Sequence, residues 1–193
     1  MENSQEELGD DMRKGLRFGE YLRWYKKNGI YEETLAPKVI EKICRIHDIP
    51  LDSIRIYPRF MLDTGRGKIE FDMILKYVDG RGKERLVGIE FKIADFKKVV
   101  EQALVRREFV DYMYVATHTG IWFSGQFDAF FLMLYFGIGW ILIGEKEVFL
   151  VMKARWNSRT TDKLLNVLQS LIIQKFKNEL KNIKSLQEWL ENS

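Results

Sequence analysis

The stretch "LVGIEFKIADFKKVVEQAL", Leu86–Leu104, decides how this chain folds. Its first half is an apolar run that ends with Glu90 and Lys92, two residues apart. Alternation along a strand puts both side chains on one face. The second half carries Phe96, Val99, Val100, Ala103 and Leu104 at helical spacing, and Asp95 stands where a helix needs a side-chain oxygen for its first free amides. "DYMYVAT" then reads as a further strand. A strand, a helix and a strand in succession predict a right-handed crossover and a parallel pair.

Upstream, "KIEFDMILKYV" alternates strictly, with Ile69, Phe71, Met73 and Leu75 on one face and Glu70, Asp72, Ile74 and Lys76 on the other. The Asp-Gly pair in "DGRGK" joins it to the Glu90 strand as a hairpin. "SIRIYPRFML" is a half-buried strand whose Pro58 predicts a sheet edge or a bulge. Two helices precede it. One spans Lys14 to Asn28 and is expected to stop at Gly29 in a left-handed cap; Pro37 opens the other through "KVIEKICRIHD".

Downstream of the loop "HTGIWFSGQ", a buried helix to Phe136 leads into the strand "GWILIG", a tight turn and the strand "VFLVMKA". The tail from Thr161 to Asn192 places Leu164, Leu168, Leu171, Ile172 and Phe176 on one stripe, predicting a helix packed on the sheet or on a second subunit. The expected fold class is α/β, a mixed central sheet flanked by helices. Residues 14–193 form its single domain, behind a disordered polar lead-in, residues 1–13.

The chain has 193 residues, 46% of them hydrophobic, enough for one sizeable core. With 31 basic against 28 acidic residues, it does not coat nucleic acid by bulk charge; any such binding needs a local patch. One cysteine, Cys44, excludes an internal disulfide, and two histidines without a cysteine cluster leave too few ligands for structural zinc. The expected location is therefore intracellular and cytoplasmic. The most apolar run, Ala129–Ile143, is too short to span a membrane and is interrupted by glycines. No signal-peptide core is recognisable at the N-terminus.

Register across the hairpin sharpens the meaning of Glu90 and Lys92. If Val78 faces Glu84, then Asp72 faces Glu90 and Glu70 faces Lys92, bringing Asp72, Glu90 and Lys92 to one end of the sheet. Two close carboxylates repel unless a positive charge lies between them, and Mg²⁺ favours that donor set. Lys92 beside such an ion can orient or deprotonate a water, or neutralise charge developing on a phosphate. Arg55, Arg59, Arg66 and Lys68, from the first strand and the loop beside the site, are candidate phosphate contacts. Lys98, Gln102 and Arg106 share a helical face that can approach a phosphate as well.

An acidic residue on one strand and E-x-K on the next, in "KIEFDMIL" followed by "VGIEFKIA", resembles the signature of the PD-(D/E)xK, or restriction-endonuclease-like, nuclease superfamily. The resemblance runs in element order from Lys14 to Ala154, without the name-giving proline before Asp72. It implies that Asp72 and Glu90 ligate Mg²⁺ or Mn²⁺, that the Phe91 main-chain carbonyl adds a ligand, and that Lys92 assists the attacking water. Gln102 resembles the supporting glutamine of exonuclease-like members, with Arg106 where these carry a tyrosine. Glu20 resembles an extra acidic ligand of junction-resolving members, although an ordinary surface role suits it better.

The expected activity is metal-dependent hydrolysis of DNA phosphodiester bonds by a homodimer, in repair, recombination or junction processing. The alternative is a non-catalytic nucleic-acid-binding or assembly protein that keeps the fold. Other chemistries lack their motifs: "TGRGKIE" has neither the spacing nor the Ser/Thr of a P-loop, and His47 and His118 are isolated.

Overall fold

The computed structural model describes residues 14–63, 68–118 and 127–157. These belong to the first of two units into which the chain divides, residues 1–157 and 158–193. The expected lead-in, Arg66 and the predicted C-terminal helix lie outside the described residues.

Among the described residues, six strands form one sheet in the order β1 to β6: β1 (Arg55–Asp63), β2 (Lys68–Val78), β3 (Glu84–Lys92), β4 (Tyr112–His118), β5 (Gly139–Ile143) and β6 (Val148–Met152). β1, β2 and β3 are antiparallel neighbours, β3, β4 and β5 are parallel, and β6 returns antiparallel. The helices are α1 (Phe18–Asn28), α2 (Ala36–Ile46), α3 (Phe96–Arg106) and α4 (Phe127–Phe136), with a 3₁₀ turn at Tyr31–Glu33. This is the mixed α/β sheet expected from the strand and helix periods. Among the described residues, no helix is long and apolar enough to cross a membrane.

One face of the sheet presents Met73, Leu75, Val87, Ile89, Phe91, Tyr114, Ala116 and Ile141 to Tyr21 of α1 and to Val39, Ile40 and Ile43 of α2. Residues of alternate parity, such as Trp140, meet the other pair of helices: its ring lies 5.0 Å from Phe96 of α3 and 6.2 Å from Phe130 of α4. Burial on both faces explains why β4 shows no polar alternation from Tyr112 to Ala116.

The hairpin between β2 and β3 is fixed by turn chemistry. Asp79 Oδ1 accepts from the amides of Arg81 (2.9 Å) and Lys83 (3.0 Å), and Gly82 takes a positive φ of 75°. Val78 consequently pairs with Glu84 and the register runs unbroken to Met73–Ile89. At α3, the Asp95 carboxylate accepts from Lys98 N at 3.1 Å, the cap the sequence calls for.

Three local expectations are corrected. Helix α1 starts at Phe18, not Lys14, because Leu16 makes a two-bond bridge with Ile56 of β1, both bonds 2.8 Å. Gly29 is extended (φ −61°, ψ 136°), not left-handed. The reason for a glycine there is space, since a Cβ would sit 2.7 Å from the Tyr25 ring and 2.8 Å from its carbonyl oxygen. Phe71 leaves the face of Met73 and Leu75: its ring lies 3.1 Å from where a Gly88 side chain would begin. That departure occurs where the β2–β3 ladder ends.

Candidate active site

Beyond Met73–Ile89 the last residues of β3 pair only with β4, Glu90 with Val115 and Lys92 with Thr117. A β2 side chain takes over the lost backbone bond. Asp72 turns its carboxylate onto the Phe91 amide, with Oδ2 accepting at 2.7 Å. This fixes Asp72 against β3 and brings its charge next to Glu90.

Glu90 is buried, with 1% of its surface exposed, so it belongs to the interior rather than to an open strand end. Oε2 lies 3.2 Å from Arg106 Nη1, while Oε1 has no hydrogen-bond partner among the described residues. Burial, and then the neighbouring Asp72 carboxylate, pushes the Glu90 carboxyl up to about 9, against the opposing pull of Arg106. Asp72 is raised too. Burial is the main cause there, opposed by the Phe91 N–H and Arg106 and reinforced by Glu33 and Glu32.

Lys92 does not meet Glu70. Its ammonium lies 3.1 Å from Glu32 Oε1, on the 3₁₀ turn between α1 and α2. Glu70 instead uses its carbonyl to accept from Arg106 Nε at 2.6 Å. Arg106, expected among phosphate-contacting residues, is thus a double anchor at the end of α3, joining β2 to Glu90.

The sequence reading missed the 3₁₀ turn. Glu33 is 3% exposed, its Oε1 lies 3.3 Å from Arg59 Nε, and its Oε2 has no partner among the described residues. The signal "YEE" carries no period that would mark it as more than a connection. Glu20, by contrast, accepts from the amide of Arg17 at 2.6 Å and closes the start of its own helix.

The remaining candidates separate by position. Arg59 sits at a positive φ of 49°; it binds Glu33, donates to the Asn28 carbonyl at 2.7 Å, and lies 5.5 Å from the Trp24 ring centroid. Its charge serves the joint between β1 and α1. Arg55 pairs with Lys76, about 13 Å along β2 from Asp72 at ~3.3 Å per residue. Lys68 is exposed at the start of β2, opposite Asp63. Gln102 is half-buried on α3, one turn before Arg106, and Lys98 is exposed.

Asp72 and Glu90 fit a hard divalent cation: an acceptor with no donor, Glu90 Oε1, lies at a place where two carboxyls press on each other. Among the described residues no group of three or more His, Cys, Asp or Glu side chains is arranged to hold a metal. An ion held here would rely on these two carboxylates, the Phe91 carbonyl, water and substrate oxygens, a donor set typical of Mg²⁺ sites.

No protein-family model matches the chain, and no curated protein matches it. Among solved structures it is similar to a protein of unknown function from Silicibacter pomeroyi, at 14% identity and a TM-score of 0.43, covering 80% of this chain and 90% of that one.

Proposed function

We propose that this chain is a divalent-metal-dependent nuclease of restriction-endonuclease-like core, hydrolysing DNA phosphodiester bonds. The observation that carries the reading is Glu90: a buried carboxyl with an unpartnered oxygen, set beside Asp72 at the end of a parallel strand. A core that served stability alone would place an apolar residue there.

Asp72 and Glu90 would hold the cation, Mg²⁺ or Mn²⁺, which would supply Lewis acidity and charge for the scissile phosphate. Ionising both carboxyls is costly without it, so ion and site charge together. Lys92 faces the phosphate and the attacking water, and Glu32 holds its ammonium in place. Arg106 pairs with Glu90 and, through the Glu70 carbonyl, ties α3 to the site.

Supercoiled, linear, single-stranded and four-way-junction DNA, incubated with purified protein in Mg²⁺ or Mn²⁺ against EDTA, tests this directly. Metal-dependent cleavage that disappears in Glu90→Gln and Lys92→Ala is the expected result; wild-type cleavage by either variant removes the assignment.

One observation favours a second reading. Arg106 already provides Glu90 with a cation, which is what a nucleic-acid-binding protein without chemistry would retain. In that case Mg²⁺ changes DNA affinity equally in wild type and Glu90→Gln at fixed ionic strength. In the nuclease, Glu90→Gln binds DNA about as well as wild type in EDTA, where burial already keeps the Glu90 carboxyl protonated near neutral pH, and loses most of the gain from Mg²⁺, because it has one ligand fewer for the ion.

A further inference from the structure

The 3₁₀ turn that supplies Glu32 to Lys92 begins with Tyr31, which is 74% exposed. The Tyr31 ring nonetheless lies against a neighbour. It stacks on the His118 imidazole with centroids 6.0 Å apart and planes 17° from parallel. His118 ends β4, one residue after Thr117, which pairs with Lys92. The exposed ring is therefore tied to Lys92 along both routes, through Glu32 in the chain and through β4 in the sheet.

An aromatic ring left this exposed adds little to the core, because most of its apolar surface still meets water. A ring backed by a second ring on one face keeps a flat apolar surface for a planar partner. Nucleobases are such partners, and stacking on an aromatic side chain is indifferent to which base is offered. Inside a duplex both faces of a base are covered by its neighbours, so only an unpaired base can use the ring.

We infer that Tyr31, backed by His118, is a stacking platform for an unpaired nucleobase beside the phosphate that occupies the Asp72, Glu90 and Lys92 site. The substrate class is nucleic acid with unpaired nucleotides: a single strand, a frayed or flapped end, or an open junction. This rests on the nuclease reading for the position of the phosphate, and it narrows that reading from DNA in general to strands that are not fully paired.

The test uses the full chain, Ca²⁺ in place of Mg²⁺ with EDTA as the metal-free arm, and an oligonucleotide carrying one 2-aminopurine. Quenching of its fluorescence reports stacking, and anisotropy reports affinity for the single strand and for the matching duplex. Tyr31→Ala is expected to weaken single-strand binding about 5- to 150-fold, the equivalent of ~1–3 kcal/mol per stacked base. It should also abolish the quench and leave duplex binding unchanged, while Tyr31→Phe and Tyr31→Trp retain both signals. Equal loss on both substrates, no loss on either, or no quench with wild type overturns the platform. Cleavage in Mg²⁺ is scored separately. Quenching without cleavage removes the nuclease and keeps the platform; undiminished cleavage of single strands by Tyr31→Ala removes the platform and keeps the nuclease.

Discussion

Strand β3 carries a charged residue at each end, and the two ends are treated in opposite ways. At its start, Arg85 Nε lies 2.8 Å from Asp79 and its Nη1 3.3 Å from Asp111, whose other oxygen accepts from the Leu86 amide at 2.8 Å. Asp111 is 2% exposed, yet both of its oxygens have donors. At the other end Glu90 is equally buried and one of its oxygens has none. A buried carboxyl with a donor on each oxygen fixes structure, whereas a buried oxygen left without a donor is retained at a cost and points to a ligand.

The largest expected effect breaks the comparison at the Glu90 end. Glu90→Gln keeps the shape and should eliminate metal-dependent cleavage, and Lys92→Ala should reduce its rate by about 10²–10⁴-fold. Circular dichroism spectra should match wild type, because neither change removes an apolar contact. Asp111→Ala is the mirror test. It takes from Arg85 one of its two carboxylates, leaving Asp79, and removes the acceptor of the Leu86 amide, so urea unfolding should show a loss of about 1–3 kcal/mol. Cleavage per folded molecule should be unchanged.

A smaller effect is the pH dependence of stability in EDTA. Glu90 has an ordinary value of 4.5 and is pushed up to about 9 in the fold, so between these values the folded state holds a proton that the unfolded state has released. Its contribution is therefore fully present below pH 4.5 and is lost as pH rises towards 9. Stability measured by urea midpoint should fall across that window in wild type and fall less in Glu90→Gln. Mg²⁺ binds the ionised form and should restore wild type at the alkaline end only. The same slope in both proteins would show that Glu90 is not the group titrating.

How much of this was legible follows from the range of each interaction. The β2–β3 register could be counted because Asp79 and Gly82 define the turn locally, and the Asp95 cap was readable because it acts three residues away. The parallel β3–β4 pair followed from the strand and helix periods. The surroundings of the site were not readable. Lys92 finds Glu32 across 60 residues of chain, and Arg106 meets Glu90 only once α3 has packed on β3. Phe71 breaks its alternation because the ladder ends beneath it, which no local pattern records.

The smallest effect separates surface charge from structural charge within β1 and β2. Lys68 is exposed and Arg55 half-buried, and among the described residues neither is held in an ion pair, whereas Arg59 holds Glu33, the Asn28 carbonyl and the Trp24 ring. A phosphate contact shows itself in the slope of log affinity against log salt, which falls in magnitude by about 0.9 for each contact removed from duplex DNA. Lys68→Ala should show that change with stability unaltered. Arg59→Ala should leave Glu33 buried without its cation and lower stability, while the slope of the remaining folded protein stays near wild type. Arg55 lies farther along the sheet from Asp72, so Arg55→Ala should change the slope less than Lys68→Ala. If Arg59→Ala alone altered the slope and left the urea midpoint in place, the Arg59–Glu33 pair would belong to the nucleic-acid face and not to the joint between β1 and α1.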